Sequence, residues 1–235
     1  MSVVLAIGGI DTSGGAGLTR DSAMAARLRC DLKPVVSALT VQTDRSVSMV
    51  METAPDLFAA QLEAALAPPL PQAVKIGMLA SPEQVQCILR LVPKSLPVVF
   101  DPVLTASSSG TLTPTEVLAP LLKRVTLLTP NLPEARILAD LPEQTEPASL
   151  AAALLRLGPK AVLVKGGHGT GSDCLDVLLS EHECRTFSTP RLLGTWRGTG
   201  CRLSTAIACG LSKGAPIAEA CALAKSALTD WLTEG

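Results

Sequence analysis

The segment Gly198-Thr199-Gly200-Cys201 joins a glycine turn to a cysteine at the start of a predicted helix. Backbone N–H groups at a helix N-terminus have no partner within the helix and together carry roughly half a positive charge. Gly198 and Gly200 let these groups close around an anion and Thr199 adds a hydroxyl, which indicates a phosphate or oxyanion cradle. The same field is expected to lower the pKa of the Cys201 thiol from about 8.5 toward neutrality, so that the thiolate can accept a proton from a substrate hydroxyl. Taken alone, the four residues favour a plain helix start with a small buried thiol, and neighbouring motifs change that balance.

Other residues with the chemistry of a phosphate or metal site follow several predicted strands. Lys165 precedes two glycines in "VKGGHG" (164–169) and could supply charge to a nucleotide phosphate, although a lone lysine there is also typical of a surface. Asp101 and Glu134 could share a hydrated Mg²⁺, which takes one or two carboxylates together with water and phosphate oxygens. Helix capping is the alternative for Glu134. The glycine-rich "IDTSGGAGLTRD" (10–21) matches neither a Walker A motif nor G-x-G-x-x-G.

Composition excludes several classes of partner. The 235 residues carry 20 basic and 21 acidic side chains, a net charge of −1, which argues against nucleic acid or an anionic membrane as the main partner. Apolar runs break well short of the roughly 18 residues that a membrane span needs, and no basic stretch precedes the first apolar run, which is expected to be a strand and not a signal peptide. Seven cysteines without framework spacing predict a reduced, cytoplasmic protein, and two histidines without C-x-x-C make a zinc site improbable.

Short apolar strands alternate along the chain with longer amphipathic segments. Strands are predicted at 3–8, 34–41, 73–78, 97–100, 125–129 and 161–167, with a hairpin at 174–180 and 184–188. Helices are predicted near 18–29, 55–66, 81–91, 148–158, 200–210 and 216–232, from a capping box at Thr113, and from Asn131 onward. This alternation, with strands made of Val, Ile, Leu and Ala, predicts an α/β fold with a parallel sheet buried on both faces. No repeat or shift in composition marks a boundary, so residues 1–235 are expected to form a single domain.

Polar or chemically useful residues recur where these strands end. Ligands of open parallel sheets bind at the carboxyl ends of the strands. The residues expected at that edge are Asp11, Gln42, Met78, Asp101, Thr129, Asn131 and Lys165, with the Gly198–Cys201 turn beside them. So many polar groups at one edge predict a single site.

Seven motifs, in order, resemble one family. "DTSGGAGLTRD", "SALTVQT", "VKIGML", "FDPVL", "TPNLPEA", "AVLVKGGH" and "GTGC-x-LS-x-AIA" look like those of the hydroxymethylpyrimidine/phosphomethylpyrimidine kinases of thiamine biosynthesis, in the ribokinase superfamily. The resemblance covers nearly the whole chain. It implies a ribokinase-like three-layer α/β/α sandwich with a mostly parallel central sheet and a homodimer. It also implies that MgATP phosphorylates 4-amino-5-hydroxymethyl-2-methylpyrimidine and then its monophosphate.

The resemblance also implies roles for individual residues. Cys201 matches the catalytic base, and the anion hole matches Gly198, Thr199 and Gly200. The pyrimidine pocket matches Gly9, Ala16, Asp21, Gln42, Met78 and Val103. The ATP side matches Lys165, Asn131 and Glu134, and the Mg²⁺ side matches Asp101 and Glu134.

The chain departs from the family pattern beside the cradle. Arg197 and Arg202 stand where relatives usually have His and Thr, and "ASSSG" (106–110) lacks a lysine that the family usually carries. One hypothesis is that an arginine replaces this missing charge, and the alternative is a solvent-facing arginine at a helix start. Two other functions stay open: a pyridoxine or pyridoxal kinase of the same superfamily, and a non-catalytic domain that senses a pyrimidine.

Overall fold

The structure is a computed structural model that describes residues 1–104, 115–169, 171–192 and 194–234. The capping box predicted at Thr113 rests on residues outside this part of the chain. Within the described ranges, no helix combines the length and the apolar character that crossing a membrane requires.

Nine strands form one sheet over the described residues, in the order β3-β2-β1-β4-β5-β6-β7-β8-β9. The strands are β1 (Val3–Asp11), β2 (Asp31–Gln42), β3 (Val47–Glu52), β4 (Ala73–Ile76), β5 (Val98–Phe100), β6 (Leu127–Leu128), β7 (Ala161–Val164), β8 (Asp173–Ser180) and β9 (Cys184–Pro190). The six strands from β2 to β7 in the middle of this order pair in parallel, whereas β3, β8 and β9 pair antiparallel at the two edges. The mostly parallel sheet predicted from the strand pattern is confirmed.

Helices cover both faces of the sheet and bury two separate cores. The described helices are α1 (Gly17–Arg27), α2 (Pro55–Ala65), α3 (Pro82–Leu91), α4 (Thr115–Leu122), α5 (Leu132–Ala139), α6 (Pro147–Leu155), α7 (Thr199–Ser212) and α8 (Ile217–Glu234). Alternate residues of the strands face opposite cores: Val98 and Phe100 of β5 pack with helices α2 to α6, and Val99 packs with α1, α7 and α8. This is the three-layer α/β/α sandwich that the resemblance implied.

A buried ion pair ties the sheet to two of these helices. Lys75 lies in β4 among apolar residues, and its Nζ is 2.8 Å from the Asp21 carboxylate of α1. Thr205 of α7 donates a hydrogen bond of 2.8 Å to the other carboxylate oxygen. Burial raises the pKa of Asp21, whereas the pKa of Lys75 is raised because the carboxylates of Asp21 and Asp101 outweigh the opposite effect of burial. The pair therefore fixes α1 and α7 against the middle of the sheet.

Strand β3 was absent from the sequence prediction. It follows a turn in which the Thr43 N–H donates to the Ser46 carbonyl, without the glycine or proline that marks most turns. Its side chains are nearly all exposed, so no alternation of buried and polar positions signals it.

Strand β7 is shorter than predicted because Gly166–His168 turn into a short 3₁₀ helix. The helix predicted at Asn131 is confirmed as α5, with Asn131 as its N-cap.

Removal of the Lys75 charge is expected to be strongly destabilising, because it leaves the fully buried Asp21 carboxylate without a counter-ion. Lys75→Met should lower the free energy of unfolding by about 3–5 kcal/mol, measured by urea denaturation. The double variant Lys75→Met/Asp21→Asn should recover part of this loss. Lys160→Met, an exposed lysine just before β7, is the matched control. A loss below about 1 kcal/mol in the single variant, or no recovery in the double variant, contradicts the role of the pair.

Candidate active site

The glycine turn before α7 leads directly into the helix that the sequence predicted near residue 200. Gly198 is the N-cap of α7 and has a φ of 70°, in the left-handed region that favours glycine. A Cβ at this position would lie 2.5 Å from the Gly15 carbonyl oxygen. Only glycine therefore allows the loop before α1 and the turn before α7 to touch, and Thr199, Gly200 and Cys201 follow in the first turn of the helix.

Two charged side chains from different strand ends meet at this helix start. Lys165, directly after β7, places its Nζ 2.5 Å from the carboxylate of Asp101, directly after β5. A Cβ at Gly200 would lie 3.1 Å from the Lys165 Nζ and 3.3 Å from the Asp101 Oδ2. The Ser204 hydroxyl is 3.5 Å from the same Asp101 oxygen. A positive charge and a carboxylate thus lie against the backbone of the cradle.

The Cys201 thiol does not have the lowered pKa that the helix terminus predicted. Burial raises its pKa to about 11, and the nearby carboxylates of Asp21 and Asp101 act in the same direction. Lys75 and a hydrogen bond from the Gly17 backbone act to lower the pKa, but they do not balance the loss of water. The prediction of a near-neutral thiol is therefore wrong, because desolvation outweighs the field of one helix end.

Glu134 has the capping role that the sequence left open for it. Its carboxylate accepts a hydrogen bond of 2.8 Å from the Asn131 backbone, and the Asn131 side chain accepts one of 2.9 Å from the Glu134 backbone, which is a capping box. Burial raises the pKa of Glu134 to about 7; Lys165 lowers it, and Asp101 raises it further. The capping residue is therefore also part of the charged group around Lys165.

The site offers a metal ion two carboxylate ligands and no complete set of protein ligands. Among the described residues, no group of three or more His, Cys, Asp or Glu side chains could hold an ion. Asp101 and Glu134 nevertheless lie close enough for the charge of one to affect the pKa of the other. Two carboxylates completed by water and phosphate oxygens suit Mg²⁺, so these residues fit an ion that arrives with a nucleotide.

Residues of the predicted pyrimidine pocket lie near the ends of β1, β2, β4 and β5 and at the start of α1. A Cβ at Gly9 would lie 3.1 Å from the Met78 sulfur, so the two residues are in contact. Gln42 is half-exposed at the end of β2, and its amide oxygen accepts a hydrogen bond of 3.3 Å from Thr40. Val103 is half-buried, and its N–H donates to the Asp101 carbonyl. Ala16 is the N-cap of α1.

Asp21 does not fit the direct contact with a pyrimidine that the resemblance implied. Its side chain is fully buried, and its two oxygens are already bonded to Lys75 and Thr205. The carboxylate therefore lies beneath the site. Sequence reasoning missed Lys75, although a lysine inside an apolar strand that is buried on both faces signals a buried partner.

A cavity of about 1140 Å³ is lined by part of the predicted phosphate side. Its lining includes Asn131, Lys165, Thr199 and Gly200, together with residues after β9 and on α8. The volume exceeds that of most small-molecule pockets, which run to roughly 1,000 Å³, and so admits a nucleotide.

A second buried pair supports the glycine turn that follows Lys165. Asp176 of β8 accepts a hydrogen bond of 2.8 Å from the Gly166 N–H, and Lys225 of α8 lies 2.7 Å from its other oxygen. A Cβ at Gly166 would lie 2.0 Å from the Leu175 carbonyl oxygen, so glycine is required there. Sequence reasoning missed this pair, for which the signal was an acidic residue between apolar neighbours in a strand.

Neither of the two unusual arginines faces solvent freely. Arg202 is buried with its guanidinium 3.7 Å from the centre of the Trp231 ring, and it donates a hydrogen bond of 3.2 Å to the Arg197 carbonyl. Arg197 binds the side chains of Asp11, Ser13 and Asp44 and lines the cavity. The solvent-facing alternative is therefore wrong for Arg202. Its guanidinium is occupied by Trp231 and the Arg197 carbonyl, whereas Arg197 lines the cavity and stays a candidate for the missing charge.

An anion cradle beside a Lys–Asp pair, at the carboxyl edge of this sandwich, defines a small-molecule kinase of the ribokinase-like class. The family model described as phosphomethylpyrimidine kinase matches residues 11–235. A hydroxymethylpyrimidine/phosphomethylpyrimidine kinase from Rhizobium meliloti (strain 1021) is 35% identical over 238 residues, covering 97% of this chain and 89% of the relative. The chain belongs to the phosphomethylpyrimidine kinase family, and the predicted phosphotransferase class is confirmed.

Solved structures agree with this assignment. The phosphomethylpyrimidine kinase from Clostridium difficile 630 superposes with a TM-score of 0.83 at 31% identity, covering 99% of this chain and 100% of that one. The pyridoxal kinase from Staphylococcus aureus in complex with AMP-PCP superposes with a TM-score of 0.87 at 27% identity, covering 97% and 87%. The fold is thus shared by kinases of two heteroaromatic substrates.

The raised pKa of Cys201 gives a direction to the pH dependence of catalysis. If the thiolate is the proton acceptor, kcat should rise close to tenfold per pH unit between about pH 8 and 10, because this range lies below the pKa of Cys201 and above that of Glu134. Steady-state rates over this range test the slope, with circular dichroism at each pH to confirm folding. Cys201→Ser keeps the size of the side chain and should flatten the profile. A flat pH profile of kcat in the unsubstituted enzyme, or an unchanged slope in Cys201→Ser, would show that the thiolate is not the proton acceptor.

Proposed function

We propose that this chain transfers the γ-phosphoryl group of ATP to the hydroxymethyl group of 4-amino-5-hydroxymethyl-2-methylpyrimidine, and then to the phosphate of the resulting monophosphate. The diphosphate serves thiamine biosynthesis. Membership of the family and the names of its relatives support this substrate. The structural observation that carries the proposal is the contact of Lys165 and Asp101 with the Gly198–Cys201 cradle. All seven cysteines are free thiols, which supports a cytoplasmic location.

The chemistry requires positioning and charge neutralisation more than covalent participation of the protein. In the first step the hydroxymethyl oxygen forms a bond to the γ-phosphorus, the bond from that phosphorus to the bridging oxygen breaks, and ADP leaves. The hydroxyl proton passes to the Cys201 thiolate. Backbone N–H groups at the start of α7 and the Lys165 ammonium stabilise the charge on the transferring group. The pair with Asp101 holds that ammonium in place.

Mg²⁺ would be held by Asp101 and Glu134, and when bound it neutralises charge on the nucleotide phosphates. The ATP phosphates would lie in the cavity lined by Asn131, Lys165 and Gly200. AMP-PCP in the related pyridoxal kinase structure supports a triphosphate nucleotide as the donor.

The pyrimidine would lie at the ends of β1, β2 and β4. A flat aminopyrimidine needs a polar group at its edge and apolar contact on its faces. Gln42 supplies an amide, and Met78 against Gly9 supplies a polarizable apolar surface. Pyridoxal, also a hydroxymethyl heteroaromatic, is the second candidate, because pyridoxal kinases superpose as closely as the pyrimidine kinase does.

Steady-state assays with MgATP and three acceptors test this function: the pyrimidine alcohol, its monophosphate and pyridoxal. We expect turnover of both pyrimidines and slower turnover of pyridoxal. Lys165→Met should lower kcat by roughly 10²–10³-fold because it removes a donor to the transferring group. Lys160→Met, at the opposite end of β7, is the matched control and should keep full activity.

The alternatives give different results in the same assay. Turnover of pyridoxal alone would identify a pyridoxal kinase. No turnover of any acceptor, with pyrimidine binding retained, would favour the sensor. Full activity of Lys165→Met would show that this lysine does not stabilise the transferring phosphoryl group.

We also propose that the chain forms a homodimer through the hairpin of β2 and β3. Leu39 pairs with Met51 and Val41 with Met49 across this hairpin, so the four side chains share one face. All four are more than 40% exposed, from 43% for Leu39 to 61% for Met49. A contiguous exposed apolar face on an edge hairpin is typical of an interface. A second copy of the chain would cover it.

Analytical ultracentrifugation tests the dimer. The unsubstituted chain should sediment as a dimer, and Met49→Lys/Met51→Lys should shift it to the monomer because two charges would enter the apolar face. Leu223→Lys, at an exposed apolar position of α8, is the matched control and should remain dimeric. A monomeric unsubstituted chain, or a dimer that survives the double substitution, overturns this proposal.

A further inference from the structure

Arg197 binds three acceptors that come from two different loops. Its Nη1 lies 2.6 Å from the Ser13 hydroxyl and 2.7 Å from the Asp44 carboxylate, and its Nη2 lies 3.1 Å from the Asp11 carboxylate. A Cβ at Gly15 would lie 2.5 Å from Nη1, so the guanidinium packs directly on the glycine backbone. Gly15 also contacts Gly198, where an added Cβ would lie 2.5 Å from the Gly15 carbonyl oxygen, so the guanidinium lies beside the start of the cradle.

The two carboxylates that bind Arg197 differ in their surroundings. The Asp11 side chain is nearly buried and also accepts hydrogen bonds from the Ser13 backbone and hydroxyl, at 2.8 and 2.7 Å. The Asp44 side chain is 80% exposed, in the turn between β2 and β3. An exposed ion pair of this kind contributes little to stability and is screened by salt. Asp11 and Ser13 thus fix the guanidinium in position, while Asp44 can be exchanged for another anion.

The Arg197–Asp44 ion pair lies in the cavity, so an anion that enters this cavity could replace Asp44. Arg197 and Asp44 both line the cavity that contains Lys165, Thr199 and Gly200. A guanidinium presents paired N–H donors that match phosphate oxygens. The alcohol acceptor is uncharged, whereas the monophosphate acceptor brings a dianion to the cradle. Arg197 can therefore distinguish the two acceptors by charge.

We propose that Arg197 binds the phosphate of the monophosphate acceptor, with this phosphate replacing Asp44 as its partner. Arg197 is thereby a specificity-determining residue for the second phosphorylation. The inference rests on the proposed function and assigns to Arg197 the class of acceptor it selects, a phosphomonoester over an alcohol. Asp44 holds the guanidinium when no phosphate is bound and competes with the phosphate for it.

The experiment compares kcat/KM for the monophosphate with kcat/KM for the alcohol in two variants, Arg197→Gln and Asp44→Asn. In Arg197→Gln we expect the ratio of monophosphate to alcohol to fall by about tenfold or more, because a charged hydrogen-bond donor to the phosphate is lost. In Asp44→Asn the ratio should rise, because a carboxylate that competes with the phosphate for Arg197 is removed. The monophosphate KM of the unsubstituted enzyme should increase with ionic strength, and this dependence should weaken in Arg197→Gln.

A purely structural role for the ion pair makes a different prediction. If Arg197 and Asp44 only hold the two loops together, both variants should affect both acceptors equally and leave the ratio unchanged, which would overturn the proposal. Arg197→Lys keeps the charge and should retain part of the preference for the monophosphate over the alcohol. A ratio as low as that of Arg197→Gln would contradict selection of the acceptor by charge. Calorimetric binding of the monophosphate without ATP gives a second readout, in which Arg197→Gln should bind at least about tenfold more weakly. If the unsubstituted enzyme turns over neither acceptor, the proposed function is refuted. If it turns over both and Arg197→Gln leaves the ratio of monophosphate to alcohol unchanged, only this inference is refuted.

Discussion

The buried contact between Lys75 and Asp21 holds β4, α1 and α7 together beneath the cradle. Two ions away from water cost several kcal/mol each, and they are tolerated only when they satisfy one another and their remaining hydrogen bonds. Thr205 supplies one of these bonds, which brings α7 into the same contact as α1 and β4. The starts of the two helices consequently converge on one edge of the sheet. Gly17 and Gly198, each with a positive φ, are the residues that allow the backbones to come so close.

Burial also sets the chemistry of this edge. The same exclusion of water that raises the pKa of Cys201 and Glu134 strengthens the interaction of Lys165 with Asp101. A site for phosphoryl transfer benefits from this low-dielectric setting, because fixed donors there stabilise developing charge without competition from solvent. The cost is a thiol that is mostly protonated at neutral pH.

Local sequence patterns predicted a large part of this structure. Five of the six central parallel strands, β1, β4, β5, β6 and β7, were recognised because burial on both faces leaves continuous runs of Val, Ile, Leu and Ala. The start of α5 was recognised because an N-cap needs only Asn131 and its near neighbours. Strand β3 was missed because its exposed side chains show no burial pattern and its turn has no glycine. Lys75 was part of a recognised motif, yet its sequence position does not reveal which distant carboxylate it meets.

The sequence by itself determined the alternating architecture, the glycine turn before α7 and the set of polar residues at strand ends, since each depends on neighbours within a few positions. The order of its motifs also identified the family. Only the tertiary structure decided that Asp21 lies under the site, that the thiol of Cys201 is hard to ionise, and that Arg197 binds Asp11 and Asp44. These properties depend on burial and on charges that lie far apart in the chain: 184 residues separate Asp21 from Thr205, and 186 separate Asp11 from Arg197. Desolvation and ion pairing are set by what surrounds a group in space, which local patterns of residue type do not encode.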